Sequence, residues 1–182
     1  FLMNNSLPQF RSGPWNGLRF SGSPGLKPNP VYTYEFVNTP KEIYYKFDLI
    51  NSSVYSRLTL SSFGVLQRLN WNYRAQDWTV YVNAPADNCD TYGLCDAYGI
   101  CNIANSPVCS CLDRFVPQSP NDWNATDWSS GCQRRTPLDC QKGDGFLKYT
   151  GLKLPDTRWS WYNDSINLKE CEKICLKNCS CM

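Results

Sequence analysis

Eleven cysteines and no histidine set the chemistry open to this chain of 182 residues. Thiols at that density can close disulfides, hold structural zinc or run redox chemistry. Six of them, Cys89, Cys95, Cys101, Cys109, Cys111 and Cys132, follow the spacing C-x5-C-x5-C-x7-C-x-C-x20-C, and residues 1 to 88 contain none. The other five are Cys140, Cys171, Cys175, Cys179 and Cys181. The C-x-C of Cys109 and Cys111 could chelate a metal, but without C-x2-C pairs or histidine the ligand spacing of a zinc site is missing. The lack of histidine also removes Ser-His-Asp and Cys-His catalysis. Asp122, Asp127 and Asp139 offer carboxylates for acid and base work, yet nothing in their spacing pairs them, and they read as solvated loop residues. No phosphate-binding glycine loop is present, so these residues carry no kinase chemistry. No catalytic residue, cofactor site or metal site is expected.

Disulfides are favoured further by five Asn-x-Ser/Thr sequons, at Asn4, Asn51, Asn124, Asn163 and Asn178. Glycan addition requires passage through a secretory compartment, which is also oxidising. A net charge of +2, with Arg134-Arg135 as the one adjacent Arg/Arg pair, gives no basic stripe for nucleic acid. Phe1-Leu2-Met3 runs straight into Asn4-Asn5-Ser6 without an apolar leader, and no apolar run is long enough to span a membrane. With the odd cysteine count, this predicts a piece of a longer exported protein.

The elements that must carry these residues change along the chain. Residues 1 to 86 read as antiparallel β-structure, with runs at 18–21, 31–37, 43–50, 54–60, 65–71 and 78–82 separated by turn residues. Ile43, Tyr45, Phe47 and Leu49 alternate with Glu42, Lys46 and Asp48, and Val54, Leu58 and Leu60 oppose Arg57 and Thr59. That period of two predicts strands with one buried and one wet face, in a meander or part of a sandwich or barrel. Trp15, Trp71 and Trp78 can stack on a ligand or pack a core. Pro85 closes the last run, so a boundary is placed at 86/87.

After Cys140, Gly143-Asp144-Gly145 predicts a turn, and 146–149 and 152–154 read as two short strands ended by Pro155. A polar loop over 156–165 carries Trp159, Trp161 and Tyr162. A helix then starts at Asn167, with Glu170 completing a capping box. Cys171, Cys175 and Cys179, four apart, are expected on one buried face of it, with Cys181 able to bridge back to Cys175.

The spacing from Cys89 to Cys132 resembles an epidermal-growth-factor-like (EGF-like) module, and the resemblance implies the pairs Cys89–Cys101, Cys95–Cys109 and Cys111–Cys132. Spacing alone leaves fifteen connectivities open. Each such bridge stabilises the fold by about 3 kcal/mol. Arg114 stands where such modules commonly have glycine, and Asp87-Asn88 is too poor in oxygen ligands for calcium. Three stretches in order then widen the resemblance: Arg11-Ser12-Gly13-Pro14-Trp15-Asn16-Gly17, the Cys89 to Cys132 series, and Leu168-Lys169-Glu170-Cys171-Glu172-Lys173-Ile174-Cys175-Leu176-Lys177-Asn178-Cys179-Ser180-Cys181. Together they resemble the S-locus glycoproteins and S-domain (G-type lectin) receptor-like serine/threonine kinases of plants.

That resemblance implies a mainly β chain: the latter part of a lectin-like β-domain over 1–86, an EGF-like module over 87–135, and the first part of an α+β PAN/apple domain over 136–182. It implies Cys175–Cys181 and a partner for Cys171 beyond Met182; Cys140–Cys179 follows by elimination. It places ligand contacts at 22–30, 70–79 and 117–128, where Trp71, Tyr73, Trp78, Trp123 and Trp128 lie. The expected role is recognition on the outer side of the plasma membrane. The expected partners are a protein or peptide ligand, such as a small cysteine-rich protein of pollen recognition, and a second receptor chain. The intracellular kinase is coupled but lies outside these residues. The alternative is a secreted glycoprotein, or a carbohydrate-binding lectin, without a kinase. The family's sugar-binding motif, Gln-x-Asp-x-Asn-x-Val-x-Tyr, is absent, since Gln76-Asp77 does not continue it.

Overall fold

A computed structural model gives the architecture and describes residues 1–23, 25–139, 143–179 and 181. The chain divides into two compact units, Phe1–Leu94 with Asn102–Ala104, and Cys95–Cys101 with Asn105–Met182.

The first unit is antiparallel β-structure. Strands β1 (Leu2–Asn4) and β2 (Leu7–Phe10) form a hairpin, β3 (Tyr32–Asn38) and β4 (Ile43–Leu49) form a second, and β5 (Ser56–Leu60), β6 (Leu66–Asn72) and β7 (Asp77–Ala84) form a three-stranded meander. The first hairpin is absent from the sequence reading. Asn5, at φ +53, makes its turn, and Pro8 is tolerated because a two-stranded ribbon has only edge strands. The expected strand at 18–21 reduces to one bridge between Trp15 and Phe20. Asn16 Oδ1 accepts the N–H groups of Leu18 and Arg19, and Gly17 sits at φ +93, so the chain turns there instead of extending.

The β3–β4 hairpin and the meander meet through one buried cation. Arg68, 4% exposed, places its guanidinium carbon 3.7 Å from the Phe47 ring centroid and 4.9 Å from that of Tyr32. Its Nη1 donates to the Tyr34 hydroxyl at 3.1 Å, while Nε has no hydrogen-bond partner. Among the described residues no carboxylate pairs with it. Tyr32, fully buried, bonds through its hydroxyl to Ser56 at 2.8 Å and to Asn70. A bulge beside Arg68 leaves Tyr81 as the extra residue of β7, and its ring lies 5.0 Å from Tyr32. Beyond this point Trp15 and Phe20 pack on Phe36 and Tyr45 at 5.1–6.1 Å between ring centroids. Trp15 is thus a packing residue. Burial pushes the Tyr45 hydroxyl up to about 12.

The two alternation patterns hold only in part. Tyr45 and Phe47 are half-buried, but Ile43 is 68% exposed, Leu58 50% and Leu60 63%. Leu58 and Leu60 do share a face with Arg68, by their pairing opposite Arg68 and Leu66, but they sit on the edge strand β5.

Among the described residues of the second unit the buried side chains are Cys95, Cys109, Cys132 and Cys175. Strands β8 (Gly99–Cys101) and β9 (Cys109–Cys111) pair, as do β10 (Phe115–Pro117) and β11 (Cys132–Arg134), with the five-residue helix α1 (Pro120–Asn124) in the loop between the latter two. Cys95 is joined to Cys109, Cys111 to Cys132 and Cys175 to Cys181. Cys89, Cys101 and Cys179 are also disulfide-bonded, and Cys140 lies outside the described residues. Gly131, at φ +65, would bring a Cβ within 2.7 Å of the Ala97 nitrogen, so only glycine fits there.

The expected strands at 146–149 and 152–154 do not form, since among the described residues no neighbouring strand takes up their backbone groups. The capping box is present: Asn167 accepts from Glu170 N–H, and the Glu170 carboxylate accepts from Asn167 N–H. Helix α2 spans Leu168–Cys175, so Cys179 falls past its end; Cys171 is exposed and free, and Cys175 is its one buried cysteine.

Replacing Arg68 with alanine should lower the stability of the first unit by about 3 kcal/mol, because a desolvated cation–π contact and a charged hydrogen bond are lost together. Chemical denaturation followed by tryptophan fluorescence checks this.

Candidate functional site

Strand register decides which side chains of the meander face outward. Residues opposite one another share a face, so Ser56, Arg68 and Asn70 point to the β3–β4 hairpin while Arg57, Leu69, Trp71, Trp78 and Val80 point away from it. Trp71 and Trp78 are cross-strand partners in edge contact, 5.5 Å between ring centroids. The Arg57 guanidinium lies 4.2 Å from the Trp78 centroid. At the end of the same face, Tyr73 meets Tyr55 at 6.1 Å, and both are largely exposed. Desolvation and the neighbouring Tyr55 raise the Tyr73 hydroxyl above its ordinary value.

Three of the expected contact residues, Trp71, Tyr73 and Trp78, therefore share one outward surface. Arg57 and Tyr55 belong to it as well and were missed from sequence. Only the pairing register could have placed them there, since Arg57 reads as a plain wet-face charge.

Trp123 and Trp128 belong to the second unit and are both half-buried. Trp123 lies on α1, where its N–H donates to the Ser119 carbonyl at 3.0 Å. Trp128 opens the turn to Gly131, whose N–H bonds to its carbonyl at 2.9 Å, and its indole nitrogen is buried without a hydrogen-bond partner. Nearby, Tyr98 and Phe115 stack at 4.4 Å with the Arg134 guanidinium 5.0 Å from Phe115.

Several of the candidate chemical groups, Asp122 and Asp127 among them, are occupied by local structure. Asp122 accepts the Ser119 hydroxyl, and Asp127 accepts the hydroxyl and N–H of Ser129, whose hydrogen bonds hold its carboxyl below the usual range. Asp87 caps the turn at Asn88–Asp90 through Cys89 N–H. The sulfurs of Cys95, Cys101 and Cys109 lie within 4.8 Å of one another, but all three cysteines are disulfide-bonded and supply no thiolate for a metal. Arg114 holds φ +68, the left-handed backbone that favours glycine. Asn4, Asn51, Asn124, Asn163 and Asn178 are all exposed. Among the described residues no helix is long and apolar enough to cross a membrane.

Trp78→Ala should cost the fold only about 1–2 kcal/mol, because its partners are a cross-strand ring and an exposed cation. A denaturation curve of the variant measures this, and leaves room for a binding effect to be read separately.

Comparison with known proteins places the chain. The model of the S-locus glycoprotein domain matches residues 10–119, and that of a PAN-like domain matches residues 140–182. The matched domains are noncatalytic. Over its whole length the chain is 45% identical to the receptor-like serine/threonine-protein kinase SD1-8 of Arabidopsis thaliana and spans 21% of that protein. It is 44% identical to the S-locus-specific glycoprotein S6 of Brassica oleracea and spans 42% of it. It is 37% identical to a putative inactive G-type lectin S-receptor-like serine/threonine-protein kinase SRK of Arabidopsis thaliana and spans 33% of it. A mainly β, disulfide-rich segment that ends in a PAN-like element belongs to the S-locus glycoprotein domain family.

Proposed function

We propose that this chain is a recognition segment on the outer side of the plasma membrane, which binds an extracellular protein or peptide ligand and couples it to an intracellular kinase carried elsewhere in the protein. The observation that carries the reading is the outward face of the meander, where Arg57, Trp71 and Trp78 stand together with no catalytic group among them. Aromatic rings and arginine are the side chains that most often dominate binding energy at protein interfaces. A small cysteine-rich protein is a suitable ligand, being rigid enough to meet a preformed sheet with little loss of entropy.

The finer domain reading supports this role. Residues 1–86 act as the end of a lectin-like β-domain, 87–135 as an EGF-like connector, and 136–182 as the start of a PAN/apple domain. The two hairpins held by Cys95–Cys109 and Cys111–Cys132 favour the EGF-like connector, with Cys89–Cys101 as its third bridge and Cys140–Cys179 in the PAN part. Trp123 and Trp128 form a secondary contact region. Ligand binding brings two receptor chains together.

A secreted glycoprotein without a kinase is the second reading. Identity to the S-locus-specific glycoprotein S6 nearly equals that to the kinase SD1-8, so the segment serves both architectures. Carbohydrate is the weaker ligand class, for want of the sugar-binding motif.

Trp78→Ala in the full-length extracellular region should weaken ligand binding by about tenfold or more. Titration calorimetry with the folded variant tests it, and unchanged affinity removes the face from the site. Sedimentation at saturating ligand should show dimers; monomers would remove the pairing step.

A further inference from the structure

The turn between β4 and β5 contains a sequon with aromatic rings tied to it. Asn51 Oδ1 accepts the Ser53 N–H at 2.9 Å, and the Asn51 carbonyl accepts the Val54 N–H at 3.1 Å. These bonds use both oxygens of Asn51 and leave its side-chain nitrogen, the atom that takes a glycan, outside the turn's own hydrogen bonds. The Tyr73 hydroxyl donates to the carbonyl of Ser53, the third residue of the sequon, at 3.2 Å. Tyr55 leans against Tyr73, and the two are 61% and 60% exposed. Two large rings so exposed at a sheet edge leave apolar area in water. At Asn163, by contrast, Ser165 N–H bonds to the Asn163 side chain at 2.9 Å, and Trp161 and Tyr162, which precede it, are exposed.

We propose that the first N-acetylglucosamine of an N-linked glycan on Asn51 packs on the Tyr55–Tyr73 pair. The sugar's C–H face and acetyl methyl cover the rings, and its hydroxyls remain in water. In the transfer, Nδ2 of Asn51 bonds to the anomeric carbon of a lipid-pyrophosphate-linked oligosaccharide. The bond from that carbon to the pyrophosphate oxygen breaks, and the amide proton leaves with the pyrophosphate. Tyr55 and Tyr73 then become the glycan's seat, and the protein-binding face of the meander begins at Trp71, Trp78 and Arg57.

The inference rests on the extracellular reading, because the donor is found in the secretory pathway. Full-length protein purified from its own tissue, with occupancy of each sequon read by glycopeptide mass spectrometry, separates the two. Glycan at Asn51 is expected. Glycans at other sequons with Asn51 bare would overturn this inference alone, whereas five bare sequons would overturn the extracellular reading with it. The contact is tested in the same full chain secreted from plant cells and trimmed to one N-acetylglucosamine. Asn51→Gln should lower Tm by about 2–4 °C in the wild type and by less than about 1 °C when Tyr55 and Tyr73 are both alanine. Equal losses in the two backgrounds would overturn the contact. Nuclear Overhauser effects from the sugar to the rings of Tyr55 or Tyr73 should appear in the unsubstituted protein, and their absence would overturn it without reliance on any variant.

Discussion

A guanidinium buried among aromatic rings, with no carboxylate paired to it among the described residues, is the interaction on which the first unit depends. Removing an arginine from water is costly, and that cost is ordinarily offset by an anion. Here the offset comes from the π faces of Phe47 and Tyr32, a hydrogen bond to Tyr34, and the weak hydration of guanidinium relative to ammonium. Because Arg68 points into the hairpin, the period of two sends Arg57, Trp71 and Trp78 to the opposite face. The inward cation and the outward face proposed for recognition are one constraint seen from two sides. A slip of register by one residue would bury the tryptophans and strand the arginine in water.

The second unit is held differently. Among the described residues its strands are three residues long, and its buried side chains are cysteines. With so little apolar area buried among its described residues, covalent links take the place of a core. Gly131 then allows the backbone to pass against Ala97, where any side chain would collide. The β-unit can tolerate a lost surface contact, while the disulfide unit is more exposed to single changes at its cysteines and at this glycine.

Five strands of the first unit were legible in sequence because their aromatic and β-branched residues alternate between turn signals. The hairpin of β1 and β2 was not, since Pro8 and the polar Asn5-Ser6 mask so short a pair. Local pattern also overstated the strands expected at 146–149 and 152–154: β-propensity without a partner does not make a ladder. Arg68 was invisible as a core residue, because a charge on a strand reads as solvent-facing until its register is known. For the same reason Trp71 and Trp78 were found as candidates, while Arg57 and Tyr55 needed the structure. The cysteine spacing identified a covalent framework, but the pairing came from family resemblance and could not have come from spacing.

The most direct test is a double-mutant cycle between Arg68 and Phe47, using Arg68→Met and Phe47→Leu, which keep most of the apolar volume and remove the cation and the ring in turn. Stability of the four proteins by chemical denaturation should give a coupling energy of about 1–2 kcal/mol. Losses that add to within about 0.5 kcal/mol would contradict the account, since the arginine would then be filling space and not holding the two sheets together through the ring.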